Sequence, residues 1–206
     1  MKHFDLFDGH CDTLLRCWDS ALPHYSGGSL RENGGHIDLV RAGKAMGRYC
    51  QFFAIFGSRD TRPGMGCHEI FQAQYRLFLQ ELEENADLMV HCRTAAEGTR
   101  ANEAGKIAAF LAVEGAELLD CSLDKLEDAW RKGVRAVNLT WNYENALSGS
   151  NDESPRKGLT GQGRAFVRRM QELGMLVDVS HLSDPGFWDV AQLCAGPFFA
   201  SHSNSR

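Results

Sequence analysis

A histidine and an aspartate stand two positions apart near the start of the chain, in the stretch FDGHCDT (7–13). Side chains of a strand alternate between its two faces, so an extended segment would direct His10 and Asp12 to the same side. An imidazole nitrogen and a carboxylate oxygen are both ligands that zinc accepts. Because a zinc ion in a protein typically has three or four protein ligands, this pair predicts only part of a metal site.

The other candidate ligands each follow an apolar run of the sequence. Glu114 follows IAAFLAV, His181 follows MLVDVS and His202 follows PFFAS. In parallel α/β folds, ligands bind where the strands end, so we expect these side chains to share one pocket with the first pair. Five ligands exceed what one tetrahedral zinc takes, which favours two ions bridged by a carboxylate. The predicted metal ligands are His10, Asp12, Glu114, His181 and His202.

Glu114 is the expected bridge and the candidate catalytic residue. The alternative interpretation is a buried glutamate paired with an arginine, and the apolar run before Glu114 weakens it because an uncompensated buried carboxylate is costly. Cys11 is expected to be a small buried residue and Asp178 a structural one. The remaining histidines are expected at the surface or in loops: His3, His24, His36, His68 and His91.

The composition describes a globular protein with a hydrophobic core. The chain has 206 residues, of which 43% are hydrophobic and 24% charged, and this predicts a single domain over 1–206. A formal net charge of -5 argues against a nucleic-acid surface. We therefore expect a small-molecule partner.

The sequence also predicts a cytoplasmic protein without a membrane partner. Asp5 and Asp8 interrupt the stretch where a signal peptide needs an apolar region, and no apolar run approaches the length of a membrane span. Seven cysteines without a C-x-x-C pair fit reduced thiols in a reducing compartment.

Short apolar runs alternate with amphipathic helical patterns along the whole chain, which predicts the α/β class. The predicted helices are 70–85, one behind Ser122, one that ends at Gly174 and one that starts at Ser183. The runs are apolar on both faces, as in a parallel sheet covered by helices. The six predicted strands are 4–8, 49–56, 107–113, 134–140, 175–180 and 197–201.

Six segments resemble the membrane dipeptidase (renal dipeptidase) family of zinc metallopeptidases in order and spacing. They are DGHCD, GGHIDLVRAGKAMGRYCQFFAIF, AVEGAE, VRAVNLTWNYENAL, GLTGQGRAFVRRMQELGMLVDVSHLSD and PFFASHS. The resemblance implies a (β/α)8 TIM-type barrel of the metal-dependent hydrolase kind, of which this chain would supply an incomplete portion with about six of eight strands.

The resemblance also implies the chemistry. It assigns His10 and Asp12 to one zinc ion (Zn2+), His181 and His202 to a second, and Glu114 to both. In that family a hydroxide that bridges the metals attacks the carbonyl of a dipeptide, including dipeptides with a C-terminal D residue. Two cations lower the pKa of a shared water and stabilise the oxyanion that forms.

The chain departs from the family pattern at two places. Trp141 stands where many members carry a substrate-binding histidine, so Trp141 and Asn142 are the candidate substrate-binding residues. The family continues beyond SHS to an arginine and an aspartate with roles in binding and proton transfer. We therefore expect the 206-residue chain alone to be a poor catalyst, and its unpaired strand edges to favour a homo-oligomer.

Two other functions fit the same residues. One is another binuclear-metal amidohydrolase, such as a lactonase or a D-amino-acid amidase, and a lysine placed to bridge the metals would favour it. The chain offers Glu114 there instead. The other is a metal-binding fragment without catalysis, which Trp141 and the missing C-terminal part of the family pattern favour.

Overall fold

The computed structural model describes residues 4–18, 28–58 and 62–204. Strands and helices alternate through these residues, with one 3₁₀ turn (Ala116–Leu119). The strands are β1 (Phe4–Cys11), β2 (Met46–Phe56), β3 (Met89–His91), β4 (Ile107–Glu114), β5 (Val134–Asn138) and β6 (Leu176–Asp178). The helices are α1 (Thr13–Trp18), α2 (Leu39–Ala45), α3 (Cys67–Glu84), α4 (Ala95–Glu103), α5 (Leu123–Arg131), α6 (Gly161–Glu172) and α7 (Asp184–Leu193).

The strands form one sheet in the order β1-β2-β4-β5-β6, with β3 paired to β4. The pairs β1 with β2, β3 with β4 and β5 with β6 are parallel. Every residue of β4 is buried, as expected for a strand covered on both faces. The predicted α/β class is confirmed.

The strand predictions were wrong at two places. β3 was missed because it has only three residues, one of which, Val90, is exposed. The predicted strand 197–201 forms a single parallel bridge between Phe199 and Asp178. His91, expected on the surface or in a loop, lies in β3 with its ring edge-on to Phe78 at 5.1 Å.

The four predicted helices are confirmed as α3, α5, α6 and α7. Phe71 and Phe78 of α3 are fully buried. Gly174 follows α6 with a φ of 68°, which a residue without a Cβ adopts most readily. Ser183 caps α7 by accepting a hydrogen bond from the backbone N–H of Gly186 at 3.1 Å. Ser122 precedes α5 but makes no capping bond with its side chain.

The chain divides into two compact units. The first consists of 1–56 and 71–111, and the second of 57–70 and 112–206. Phe52 and Phe110 pack in the core of the first unit with their ring centroids 5.2 Å apart, and Leu118, Val137 and Phe166 are fully buried in the second. The single domain over 1–206 stays a prediction. None of the helices among the described residues is long and apolar enough to cross a membrane.

A buried glutamate ties a loop of the first unit to the end of α3. Glu81 Oε2 accepts hydrogen bonds from the backbone N–H of Leu30 and from Asn85 Nδ2, both at 3.0 Å. Arg31 forms a bidentate pair with Asp87 at 2.9 and 3.0 Å beside it. These contacts hold the segment that leads from residue 28 to α2.

We predict that the charge of Glu81 costs stability at neutral pH. Burial raises the pKa of this carboxyl, so the folded chain favours its protonated form. The cost is absent below the pKa that Glu81 has in the unfolded chain. It grows as the pH rises towards the higher pKa that Glu81 has in the folded chain. Thermal melts should show Glu81→Gln gaining stability over the parent as the pH rises above about 4. The exposed Glu83→Gln should show no such trend, and a Glu81→Gln difference independent of pH would contradict the prediction.

Candidate metal centre

The first pair of predicted ligands lies at the end of β1. His10 is in the strand and Asp12 follows it, and their side chains lie on the same side, as the strand period predicts. His10 Nε2 is 3.3 Å from Asp12 Oδ1. The imidazole is 9% exposed and the carboxylate 45%, so a ligand from solvent has access to the pair.

Cys11, between these two residues, is buried as predicted. Burial raises the pKa of its thiol to about 12, so the sulfur keeps its proton at neutral pH. Because metals bind the thiolate, Cys11 does not compete with its neighbours as a ligand. A cavity of about 540 Å³ in this unit is lined by His10, Asp12, Arg16 and His36, among others.

Three predicted ligands of the second unit meet around one oxygen atom. Glu114, the last residue of β4, is buried, and its Oε1 is 3.0 Å from His181 Nε2 and 3.4 Å from His202 Nε2. The two Nε2 atoms are 2.8 Å apart. One carboxylate oxygen and two imidazole nitrogens therefore share a small volume.

The residues of both units fit zinc. Ligands of a tetrahedral zinc, each about 2.0 to 2.2 Å from the ion, stand roughly 3.3 Å apart. The separation of His10 and Asp12 and the two separations of Glu114 from the histidines lie near this value, and the two Nε2 atoms, at 2.8 Å, are closer together. A cation between such atoms also removes the cost of burying a carboxylate next to nitrogen lone pairs.

Asp178 holds the segments that carry both histidines of the second unit. Its buried Oδ1 accepts the backbone N–H groups of Ser180 at 3.0 Å and Ser201 at 3.1 Å. The residues after β6 and the residues before His202 are therefore tied to one carboxylate. The predicted structural role of Asp178 is confirmed.

Each histidine of the cluster has a partner on its other ring nitrogen. His181 has a φ of 69°, and its Nδ1 is 3.0 Å from Asn142 Oδ1. The Nδ1 of His202 is 2.7 Å from Ser201 Oγ, and its backbone N–H donates to Ser180 Oγ at 3.2 Å. Such partners orient the ring of a metal ligand.

The predicted substrate-binding residues lie beside this cluster. The Trp141 ring is 6.4 Å from the His181 ring and meets Tyr143 edge-on at 5.5 Å. A cavity of about 590 Å³ includes Asn142, His181 and His202 in its lining, and Phe187 and Trp188 give it an aromatic wall. Its volume is within the usual range for small-molecule sites.

A second carboxylate of the site was missed from the sequence. Glu117 lies in the 3₁₀ turn and its Oε2 accepts a hydrogen bond from Asn145 Nδ2 at 2.9 Å. Burial raises the pKa of Glu117, and the nearby charge of Glu114 acts in the same direction. Gly115 has a φ of 91°, and a side chain there would collide with the Glu117 carboxylate. The motif AVEGAE already contains this signal, a second acid one turn after the first.

Three of the other histidines, His36, His68 and His91, belong to the described residues. His68, expected at the surface or in a loop, lies half-buried in α3, and its Nδ1 is 3.1 Å from the carbonyl oxygen of Leu118. His36 lines the cavity of the first unit. The predictions for His3 and His24 concern positions outside the described residues.

We predict that zinc stabilises the chain through the cluster. A ligand that binds only the folded state, present at a concentration 100 times its dissociation constant, adds about 2.7 kcal/mol to the free energy of unfolding. Thermal melts with and without zinc should show that zinc raises the melting temperature of the parent chain. His202→Ala should show no such rise. His68→Ala should lower the melting temperature of the metal-free chain but keep the rise with zinc. An equal rise in the parent and in His202→Ala would contradict the prediction.

Comparison with known proteins gives a consistent result. A family model described as "Membrane dipeptidase (Peptidase family M19)" matches residues 1–206. A relative named "Uncharacterized protein in PQQ-III 3'region", from Acinetobacter calcoaceticus, is 29% identical over 228 residues that include 100% of this chain and 72% of the relative. "Dipeptidase tcpJ" from Claviceps purpurea (strain 20.1) is 30% identical over 85% of this chain and 43% of its own length.

A solved structure has the same fold. It is a metallo peptidase from Rhodobacter sphaeroides liganded with a phosphinate mimic of the dipeptide L-Ala-D-Ala, with 26% identity and a TM-score of 0.81. The match covers 98% of this chain and 66% of that one, so this chain spans just under two thirds of its length. The likeness confirms the predicted fold class, an incomplete TIM-type barrel.

Proposed function

Because the chain belongs to the membrane dipeptidase family, peptidase family M19, we propose that it carries the metal centre of a zinc-dependent dipeptidase. The observation that carries the proposal is the meeting of Glu114 Oε1 with the Nε2 atoms of His181 and His202 within 3.4 Å. The proposed substrates are dipeptides, including those with a C-terminal D residue. The L-Ala-D-Ala mimic in the Rhodobacter sphaeroides peptidase supports this choice.

The proposal assigns the ligands to two ions. His10 and Asp12 would hold one, His181 and His202 would hold the other, and the Glu114 carboxylate would serve both. Two cations held in this way would supply a hydroxide nucleophile at neutral pH and would offset the negative charge that develops on the carbonyl oxygen.

The remaining residues of the site would contact the substrate or the cations. Trp141 presents an aromatic surface beside His181, suited to an apolar side chain of the substrate. The amide oxygen of Asn142 faces His181 Nδ1, which leaves its NH2 group to donate to a substrate carbonyl. Glu114 is buried, so its charge is screened little by water and acts strongly on cations beside it.

We predict that Glu114→Gln nearly abolishes dipeptide hydrolysis by the full-length enzyme. A neutral amide cannot bridge two cations and compensate their charge, so the rate should fall by at least about 100-fold. Metal analysis of the same sample should show lost zinc alongside the lost rate. His68→Ala is the matched control and should leave turnover unchanged. Activity of Glu114→Gln within a factor of two of the parent would show that Glu114 has only a structural role.

A substrate panel separates the proposed function from its alternatives. We expect the zinc-loaded full-length enzyme to hydrolyse L-Ala-D-Ala and L-Ala-L-Ala, and to leave a γ-lactone and D-alaninamide unchanged. Faster turnover of the lactone or the amide would favour another binuclear-metal amidohydrolase. Bound zinc without turnover of any of the four compounds would favour a metal-binding protein without catalysis.

The cytoplasmic location and the homo-oligomer belong to the same proposal. Phe4 is 70% exposed and Phe7 59% exposed on β1, and exposed aromatic side chains on a strand favour contact with another chain.

A further inference from the structure

We propose that Asn142 is a positioning residue for His181. Its amide oxygen holds the imidazole in the tautomer and the orientation in which Nε2 faces Glu114. This inference rests on the proposed metal centre, since it concerns how one of its ligands is prepared. It gives Asn142 a role that precedes any contact with substrate.

The two nitrogens of His181 face different groups. Nδ1 is 3.0 Å from Asn142 Oδ1, and Nε2 is 3.0 Å from Glu114 Oε1. An amide oxygen only accepts hydrogen bonds, so the ring donates from Nδ1 and carries its hydrogen there. In a neutral imidazole the other nitrogen then has a free lone pair. Asn142 therefore selects the form of His181 whose Nε2 can bind a metal.

The partner of His202 Nδ1 does not select one tautomer of that ring. Its Nδ1 is 2.7 Å from Ser201 Oγ, and a hydroxyl both donates and accepts. Ser201 is thus compatible with either tautomer of His202. The contact with Asn142 thus fixes the tautomer of His181, whereas the contact with Ser201 does not fix that of His202.

The backbone of His181 is held by the loop that begins at Asn142. The φ of 69° is unusual for a residue other than glycine and persists only where neighbouring contacts maintain it. The carbonyl oxygen of His181 accepts the backbone N–H of Asn151 at 2.9 Å, and Ser150 forms an antiparallel bridge with Leu182. The loop 142–151 therefore contacts both the main chain and the ring of His181.

Asn142 is itself fixed by this loop. Ser150 Oγ donates to the carbonyl oxygen of Asn142 at 2.6 Å and accepts the backbone N–H of Glu153 at 3.0 Å. Ser150 is fully buried, so these bonds are protected from water. The amide of Asn142 thus reaches His181 from a fixed backbone.

The test measures metal affinity without substrate. The 206-residue chain and its variants are titrated with Co2+ in competition with a chelator, and the visible spectrum of the bound cobalt is recorded. Asn142→Leu removes the acceptor at nearly the same size, and Asn142→Asp restores an acceptor. Asn151→Leu is the matched control, because it removes an amide side chain of the same loop and keeps the backbone N–H that bonds to His181.

We expect Asn142→Leu to bind Co2+ roughly 10 to 100 times more weakly, the usual cost of losing an outer partner of a metal ligand. Asn142→Asp and Asn151→Leu should stay within about threefold of the parent, because each keeps the contacts of His181. A loss below about fivefold in Asn142→Leu, or equal losses in Asn142→Leu and Asn142→Asp, would overturn the positioning role. A parent chain that binds no Co2+ would overturn the metal centre itself, and the positioning role with it.

Discussion

The buried carboxylate of Glu114 is the constraint on which the second unit depends. It ends a strand with no exposed residue, and a carboxylate in such surroundings is costly unless positive charge or hydrogen-bond donors face it. The Nε2 atoms of His181 and His202 face its Oε1. In the proposed metal centre, a divalent ion shared by these three side chains would compensate the charge of the carboxylate.

The polar groups around this carboxylate act mainly on geometry. Asp178 ties the backbone at Ser180 to the backbone at Ser201, which places the two histidine-bearing segments together. Asn142 acts on the ring of His181. Side chains held this way are oriented before any ion arrives, so less conformational entropy would be lost on binding one. The same orienting role explains why several buried polar side chains lie at the end of β6.

Part of this arrangement could be predicted from the sequence because it follows from the alternation of strand side chains and from runs of apolar residues. The alternation of strand side chains predicted that His10 and Asp12 lie together, and the apolar run before Glu114 predicted a buried strand end. β3 has three residues, too few for a period, and the run at 197–201 pairs at one position only. The contact of Asn142 with His181 joins residues 39 positions apart and depends on tertiary structure. No local pattern could have predicted it.

The central claim is that Glu114, His181 and His202 are ligands of one metal ion. An anomalous difference map at the zinc absorption edge, from crystals of the zinc-loaded protein, tests it directly. The account predicts a peak about 2.0 to 2.2 Å from the Glu114 carboxylate and from both Nε2 atoms. The claim would be contradicted if crystals saturated with zinc gave a map with zinc peaks elsewhere but no peak within about 4 Å of these three atoms.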